Sequence, residues 1–210
     1  MTNYPRTLQD LVEKIHETDL LALTQAFLTI QLGTGGVLAD FSQITTMVDV
    51  IHSATVTFFA PSDPSGIWGM RCECIQVTPL WRGKGPRHDT DFVVEDDKKP
   101  GMRGLNVAHV QLFFSFRYNG VVFPCALVEW FTRVGVDHLT GMWVVHPDVI
   151  CNRRNRGVIH LDAILRAAHL IPIYGSDPLP LEIDSLTSLN TFKGYYVNKY
   201  IDHHTHEIIF

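Results

Sequence analysis

The sequence predicts an α+β fold: a strongly twisted, mostly antiparallel sheet or a small, partly open β-barrel, with helices at both ends of the chain. Three observations predict it. Apolar residues recur at helical spacing within the first 33 residues, two alternating runs flank Asn119-Gly120, and apolar residues recur at steps of three and four after Ser188. The middle of the chain therefore predicts strands, and its two ends predict helices.

Two helices open the chain. Thr7-Leu8-Gln9-Asp10 has the Ser/Thr-x-x-acid pattern of a helix N-cap, and apolar residues follow it at helical spacing. A second helix is predicted from Thr18-Asp19 to Gly33, with one stripe formed by Leu20, Leu23, Phe27 and Ile30. The run Gly33-Thr34-Gly35-Gly36 is typical of a linker. We therefore predict a helical segment over residues 1–36 and an α+β domain with a docked C-terminal helix over residues 37–210.

Period-two alternation predicts the first strands. From Val50 to Phe58 the even positions are apolar, which indicates a half-buried strand. After a turn over residues 60–66, a second alternation places four residues on one face: Trp68, Met70, Cys72 and Cys74. Because alternate side chains of a strand point the same way, we expect the thiols of Cys72 and Cys74 to lie together in the core.

The stretch FFSFRYNGVVFPCALVEWF, residues 113–131, predicts a hairpin. Asn-Gly between alternating runs favours a two-residue turn with positive φ at both positions. If Tyr118 and Val121 flank the turn, the pairs that share one face are Phe116 with Phe123, Phe114 with Cys125, Leu112 with Leu127, and Val110 with Glu129. This face is apolar for three pairs and ends on a carboxylate, so we interpret the hairpin as core. Pro124 indicates an edge or a bulge.

The remaining elements follow the hairpin. Residues 141–146 predict a third strand, and Val158 to Leu161 a short fourth one. A helix from Ala163 to Leu170 is predicted, capped by Asp162 and stopped by Pro172. From Ser188 a docked amphipathic helix is predicted, with one stripe that contains Leu189, Phe192, Tyr196, Tyr200 and His203.

Composition limits the function classes. The chain has 210 residues, 46% of them hydrophobic, and a formal charge of -5, which argues against a globally basic nucleic-acid binder but allows local patches. It has no apolar run long enough to cross a membrane and no secretory signal pattern, so we expect an intracellular protein with no membrane partner. Its four cysteines are too few and too irregularly spaced for a disulfide framework, so we expect reduced thiols, mostly buried.

Two basic loops are the strongest candidates for a binding site. One contains Arg82, Lys84 and Arg87 between glycines, flanked by Trp81 and His88; the other contains Arg153, Arg154 and Arg156. Exposed backbone N–H groups beside cations are suited to phosphate, and an aromatic ring is suited to a base or a methylated lysine. The alternatives are solvated loops without a ligand, which is the more common case, and cations that balance the acidic run between Asp89 and Asp97.

Metal and acid chemistry have weaker signals. His203 and His206 are three residues apart, and His160 or Asp202 would be needed to complete a metal site, so we expect no metal or cofactor. Cys72-x-Cys74 lacks the spacing of a zinc ribbon and has no second pair. Glu129 is interpreted as an edge residue, as an acid paired with Arg103 or Arg166, or as an acid with a raised pKa, and the structural interpretations are favoured.

The chain also resembles a family. The residues that carry the resemblance are HSATVTFFAPSD, WRGKGPRHDT, PGMRGLNVAHVQLFFSF, PCALVEWF, TGMWVVHPD, VIHLDAILRAAHLIPIYG and YYVNKYIDHHTHE. They resemble the C-terminal region of open reading frames of mushroom-forming fungi that are linked to Plavaka-type and Kyakuja-Dileera-Zisupton-type DNA transposons. The chain departs from that pattern at His88, where an aromatic residue is usual, and at Asp137-His138-Leu139.

The resemblance implies a transposon-related protein whose catalytic domain lies elsewhere, so it supplies no catalytic residue for this chain. The order of hairpin, third strand and helix also resembles the bromo-adjacent-homology barrels of chromatin proteins, which bind nucleosomes or partner proteins. This second likeness is one of layout, and a fold does not fix a function.

Three hypotheses follow. The preferred one is a noncatalytic, nuclear module that binds DNA or chromatin through Trp81, Arg82, Lys84, Arg87, His88, Arg153, Arg154 and Arg156. The second is a protein-interaction or oligomerisation domain that pairs through exposed parts of the sheet over residues 113–131. The third is a metal-dependent hydrolase or nuclease that uses His203, His206, Glu129 and Asp202. It ranks last because the spacing assembles no nucleophile, base and orienting group.

Overall fold

The structure is a computed structural model, and it describes residues 6–33, 48–61, 67–175, 178–179, 183 and 187–209. The helices of these residues are α1 Leu8–Ile15, α2 Leu20–Leu32, α3 Ser188–Thr191 and α4 His203–Ile209. The strands are β1 Asp49–Ile51, β2 Ser53–Phe59, β3 Met70–Trp81, β4 Gly85–His88, β5 Thr90–Val94, β6 Leu105–Tyr118, β7 Val121–Val136, β8 Trp143–Pro147, β9 Val149–Ile150, β10 Arg153–Arg154, β11 Arg156–His160, β12 Ile164–Ala167, β13 Leu170–Pro172 and β14 Tyr195–Val197. The α+β class is confirmed: a strongly curled antiparallel sheet forms a half-barrel with helices towards both chain ends.

The two predicted N-terminal helices are confirmed. The Thr7 hydroxyl accepts a hydrogen bond from the backbone N–H of Asp10, at 3.2 Å, so it caps α1 as its sequence pattern predicts. Gly33 ends α2 in the left-handed conformation, at φ 59°. Both helices pack their apolar faces on the sheet. The rest of the predicted linker, and the predicted boundary between residues 36 and 37, lie outside the described residues.

The main sheet is built on the long strands β6 and β7. Its hydrogen-bonded order is β12-β5-β6-β7-β8-β14-β13, and β1 and β11 pair with β6 and β7 respectively. Asn119 and Gly120 have φ of 48° and 81°, so the predicted two-residue turn is confirmed. Pro124 directly precedes Cys125, the β7 residue at which the pairing with β11 ends. The predicted strands over residues 141–146 and 158–161 correspond to β8 and β11.

The predicted hairpin register holds from the turn as far as Leu112 and Leu127. Gln111 is then an extra residue in β6, and this bulge shifts the register by one. Val110 therefore pairs with Val128, and His109 pairs with Glu129. The predicted pair of Val110 with Glu129 is wrong, because a constant register across the hairpin does not allow for a bulge.

Both faces of the hairpin are core. One face carries Phe114, Phe116 and Leu127 against α1 and α2. The opposite face carries Phe113 and Val128 against the buried side of β3. A third cluster lies beside the C-terminal elements and contains Phe131, Val145, Tyr195, Val197 and Ile209. The aromatic stretch therefore serves as the wall between two cores.

The predicted helix from Ala163 to Leu170 is wrong. A 3-10 turn over Leu161–Ala163 leads into β12, which pairs with β5, and Pro172 is the last residue of β13. Ile164, Arg166 and Ala167 pair with Val93, Phe92 and Asp91 of β5, and Leu165 is a bulge between the first two pairs. Hydrogen bonding to the edge of β5 outweighs the helix propensity of the residues in this segment.

The predicted docked helix from Ser188 is also wrong. The tail forms the four-residue helix α3, then β14, then α4. Tyr195 is fully buried because β14 lies between β8 and β13, while Tyr200, on the predicted apolar stripe, is 63% exposed. Gly194 permits the close approach, because a Cβ there would lie 2.9 Å from the His146 ring.

The predicted burial of the cysteines is wrong for three of them. All four are free thiols, but only Cys125 is buried; Cys72, Cys74 and Cys151 are exposed. The buried face of β3 is the other one, which carries Arg71, Glu73 and Ile75 opposite Phe58, Val56 and Ala54 of β2. Trp68 lies in a turn, at φ 56°, and is 93% exposed. The predicted alternation is confirmed, but the buried face is the opposite one, because Glu73 is paired on the inner side with Arg166.

None of the helices in the described part of the chain combines the length and the hydropathy that crossing a bilayer requires.

Candidate functional site: two adjoining clefts

A cleft of about 840 Å³ opens where the β3–β4 hairpin meets the main sheet. We call it the Trp81 cleft. It is lined by residues 84–89 and by Trp81, His109, Gln111, Glu129, Arg156, Leu189 and Asn190. Its volume lies within the range of about 300–1,000 Å³ that is usual for ligand sites. The cleft contains most of the chemistry-bearing side chains that the first basic loop predicts.

A second cleft, of about 720 Å³, adjoins it. We call it the Arg153 cleft. It lies between the α1–α2 corner and β10, and its charged lining is Glu17, Asp19, Arg153, Arg154 and Arg156. Arg156 lines both clefts. The two basic loops, separate in sequence, are therefore brought together at Arg156.

The first predicted basic loop is in part strand: residues 82–84 form the turn, whereas Gly85–His88 is β4, which pairs with β3. The β3–β4 turn presents Trp81 and its neighbouring cations. Arg82 and Gly83 have φ of 50° and 74°, and the Lys84 N–H donates to the Trp81 carbonyl at 3.0 Å. The Arg87 guanidinium carbon lies 4.6 Å from the centre of the Trp81 ring, and that of Arg82 lies 5.3 Å away. Tight turns of this kind favour glycine at Gly83. The hairpin thus carries an indole ring flanked by two guanidinium groups.

Arg87 is held in an ion pair with Asp89, whereas Arg82 and Lys84 form no ion pair with an acidic side chain of the described residues. Arg87 donates to Asp89 through Nε, at 2.7 Å, and through Nη2, at 3.0 Å. Arg82 and Lys84 are exposed, and within the described ranges no acidic side chain pairs with either of them. A carboxylate from the predicted acidic run therefore balances one cation of the loop and leaves two available.

Glu129 forms the floor of the Trp81 cleft. Its Oε1 accepts from Arg156 Nε and Nη2, at 3.0 and 2.8 Å, and its Oε2 lies 3.6 Å from Arg154 Nε. Burial alone would raise the pKa of Glu129, but hydrogen bonds from His109 and Arg156, with the charges of both arginines, lower the pKa to about 2. Glu129 is therefore a salt-bridged acid, as one interpretation predicted, but the predicted partners Arg103 and Arg166 are wrong.

The prediction of a second basic loop is wrong, because Arg153 and Arg154 form β10 and Arg156 begins β11. The three arginines differ in availability. Arg156 also donates to Glu17, so it joins the sheet to the α1–α2 corner. Arg154 is held over the Phe131 ring, 4.8 Å from its centre, and donates to the Trp130 carbonyl. Arg153 is exposed, and no acidic side chain of the described chain pairs with it. Of the predicted cations here, only Arg153 is placed to meet a ligand without losing a partner.

A hydrogen-bonded row of side chains closes the floor. The Nδ1 of His88 lies 3.3 Å from Gln111 Oε1, and Gln111 Nε2 lies 2.8 Å from His109 Nδ1. Burial, and the proximity of His109, lower the pKa of His88, so its ring is neutral at pH 7. The sequence reasoning missed His109 and Gln111. Only the bulge at Gln111 turns them to this site, and the sequence pattern carries no signal of that bulge.

The residues of the hydrolase hypothesis do not converge. Glu129 is held by Arg156, whereas Asp202 accepts from Arg166 in a different network. His203 and His206 are exposed on α4. Within the residues that the structure describes, no group of three or more His, Cys, Asp or Glu side chains is placed to hold a metal ion.

Comparisons with protein-family models, with curated proteins and with solved structures return no match to this chain. The likeness to transposon-linked reading frames and to bromo-adjacent-homology barrels therefore stays a prediction, and the two clefts supply the physical argument about function.

Proposed function

We propose that the chain is a noncatalytic module that binds an unpaired strand of nucleic acid along the Trp81 and Arg153 clefts. The observation that carries the proposal is the placement of Trp81 and the exposed Lys84 in a cleft that adjoins Arg153 through Arg156. The exposed Arg82 lies beside that cleft, next to the Trp81 ring. Proteins that hold single strands combine a groove with cations for the phosphates and aromatic rings on which bases stack. A nuclear, transposon-related setting agrees with this role and remains part of the proposal.

The charge of the clefts favours a single strand over a duplex. The combined lining holds five basic and four acidic residues, so its formal charge is +1 with the histidines neutral. The cations without an acidic partner in the described chain are Arg82, Lys84 and Arg153. Three phosphate contacts would give a salt dependence with a slope of about -2 for a single strand. Three phosphate contacts are too few for tight binding of a duplex. A single strand gains in addition about 1–3 kcal/mol per base that stacks on Trp81.

The same side chains argue against catalysis in the Trp81 cleft. Its two carboxylates are each held by an arginine, Asp89 by Arg87 and Glu129 by Arg156. The lining residues include no serine, threonine or cysteine that would act as a nucleophile. What the cleft offers a ligand is therefore stacking, hydrogen bonds and positive charge.

The interaction hypothesis lacks the surface that it requires. In the hairpin over residues 113–131, the exposed large apolar side chains are Val121 and Val122, next to the turn. The remaining apolar residues of that stretch pack into the two cores on either side of the sheet. We therefore retain nucleic-acid binding as the single proposed function.

The test is fluorescence anisotropy with a labelled single-stranded oligonucleotide of about 16 nucleotides, titrated from about 50 to 200 mM salt. We expect Trp81→Ala to weaken binding about tenfold, and Lys84→Glu to reduce the salt slope by about one. Lys98→Glu is the matched control, because Lys98 is an exposed lysine outside both clefts. No binding at about 50 mM salt, or equal losses in Lys84→Glu and Lys98→Glu, would overturn the proposal; tighter binding of a duplex or a nucleosome would overturn the choice of a single strand.

A further inference from the structure

Three sulfur-bearing side chains lie in a row on the outer face of β3. Met70, Cys72 and Cys74 alternate along the strand and are all exposed. On the paired strand β2, the residues opposite the two cysteines are Thr57 and Thr55. The inner face of the same hairpin packs into the core, so the backbone beneath the sulfurs is held in place. This row lies outside both clefts and plays no part in the proposed nucleic-acid site.

Each thiol has its own hydrogen-bonding neighbour. The Thr57 hydroxyl lies 3.3 Å from the Cys72 Sγ, and the Gln76 Nε2 donates to the Cys74 Sγ at 2.9 Å. Hydrogen bonds from neighbouring side chains orient metal ligands and are a usual part of the surroundings of a metal site. Two adjacent sulfurs, each with such a neighbour, make a more specific arrangement than two exposed cysteines alone.

The spacing fits a bridging cation better than a disulfide. Alternate residues of a strand have Cα atoms about 6.7 Å apart, which is the upper limit for a disulfide, and their Cα–Cβ bonds run parallel. A cation bound between the two sulfurs suits this spacing, because each sulfur then bonds to the ion and the two sulfurs need not bond to each other. No third His, Cys, Asp or Glu of the described residues joins the pair, so the four-ligand set of a structural zinc site is not provided.

We propose that Cys72 and Cys74 bind one Cu(I) ion as paired thiolates. Soft sulfur ligands select Cu(I) over harder divalent cations. On binding, the two thiols release two protons to solvent and two S–Cu bonds form, so the bound group has a net charge of -1. The copper stays in the same oxidation state, and no electron is transferred.

The test uses the full chain under anaerobic conditions with Cu(I)–bicinchoninate, whose colour is lost when the protein removes the metal. We expect the wild-type chain to take up one Cu(I), and Cys72→Ser and Cys74→Ser to lose this uptake. Cys151→Ser is the matched control, because Cys151 is an exposed thiol in a separate turn. Circular dichroism checks that each variant is folded. We expect all three variants to fold, because the three cysteines are exposed.

Uptake of one Cu(I) that is lost in Cys72→Ser and in Cys74→Ser, and kept in Cys151→Ser, supports the site. A wild-type chain that removes no copper from bicinchoninate overturns it. Undiminished uptake by Cys72→Ser or Cys74→Ser, or loss of uptake in Cys151→Ser, overturns it equally. These outcomes do not depend on nucleic-acid binding, so the two proposals fail or succeed separately.

Discussion

His109 and Glu129 are cross-strand partners on the floor of the Trp81 cleft, with His109 Nδ1 3.7 Å from Glu129 Oε2. The bulge at Gln111 creates this pair; without it, Glu129 would lie opposite Val110. The carboxylate is therefore surrounded by nitrogen donors instead of an apolar neighbour. Glu129 acts as the anchor that holds two arginines and a histidine together at the junction of the two clefts.

We expect Glu129→Gln to destabilise the fold by about 3 kcal/mol, since removing one partner of a buried ion pair leaves the other charge uncompensated. The side chain of Glu129 is 7% exposed, and its partners Arg154 and Arg156 are 15% and 31% exposed. Urea unfolding at pH 7 measures the change. Glu95→Gln is the control, because Glu95 forms an exposed pair with Arg133 and should contribute less than about 1 kcal/mol.

The loss in Glu129→Gln should depend on pH. The pKa of Glu129 is lowered to about 2 in the folded chain, from an unfolded value near 4.5. A lowered carboxyl pKa stabilises the fold above the unfolded pKa, and this stabilisation is lost as the pH falls towards the folded value. The difference between wild type and Glu129→Gln should therefore shrink between about pH 4.5 and 2. A difference that stays constant over this window would contradict the ion-pair explanation.

Asp91 should destabilise the fold as the pH rises. It is fully buried, and neither of its carboxylate oxygens has a hydrogen-bond partner among the described residues. Burial, together with the nearby charges of Asp89 and Glu73, raises the pKa of Asp91 well above its usual range. A raised carboxyl pKa contributes stability that is complete below the unfolded pKa and is lost as the pH rises through the folded pKa.

We therefore expect Asp91→Asn to unfold at a higher urea concentration than wild type at about pH 8, with the gain shrinking towards about pH 4. Asparagine has nearly the same shape and carries no charge, so it removes the cost of ionising a buried group. Asp97→Asn, at an exposed carboxylate, is the control and should leave the midpoint unchanged. A gain of equal size at both pH values would show that packing, not ionisation, is responsible.

Arg166 should fasten α4 to the rest of the fold. Its side chain is 4% exposed, donates to Asp202 at 2.9 and 2.7 Å and to Glu73, and lies over the Phe58 ring. Asp202 in turn accepts from the Thr205 N–H at the start of α4, at 2.7 Å. We expect Arg166→Met to cost about 3–5 kcal/mol, because two carboxylates lose their shared partner.

Hydrogen exchange locates the effect of Arg166→Met: amides of α4 should exchange faster relative to those of α2 than in wild type. Arg117→Met is the control, since Arg117 is exposed on β6 and a surface change of this kind is usually worth less than about 0.5 kcal/mol. If α4 keeps its relative protection in Arg166→Met, the anchoring role of Arg166 is wrong.

Short sequence patterns correctly predicted the features that depend on local backbone geometry, namely helix caps, helix ends and the hairpin turn. Thr7 caps α1, Gly33 ends α2, and Asn119-Gly120 forms the turn from which the pairing of Phe116 with Phe123 follows. Each of these depends on backbone conformation or hydrogen bonds within a few residues, so one sequence is enough to recognise it. Of the candidate site residues, Trp81 and the cations around it were recognisable because a glycine-rich turn keeps a loop at the surface.

The errors share a different cause. Residues 164–167 and 195–197 form strands because β5 and β8 each have an edge that needs pairing, which no local pattern reveals. The exposed position of Cys72 and Cys74 follows from Arg166, 92 or more residues away in sequence, which draws Glu73 inwards. Helical spacing and strand alternation record which residues share a face, but not what the face meets.

The sequence by itself determined the fold class, the two N-terminal helices and the central hairpin, because these follow from short-range backbone preferences and apolar periodicity. Only the tertiary structure decided that Arg156 joins the two loops, that Glu129 is held by Arg154 and Arg156, and that the sulfurs of β3 face solvent. The physical reason is that a buried charge takes its partner from whichever strand lies beside it, and that neighbour is chosen by the packing of the whole sheet.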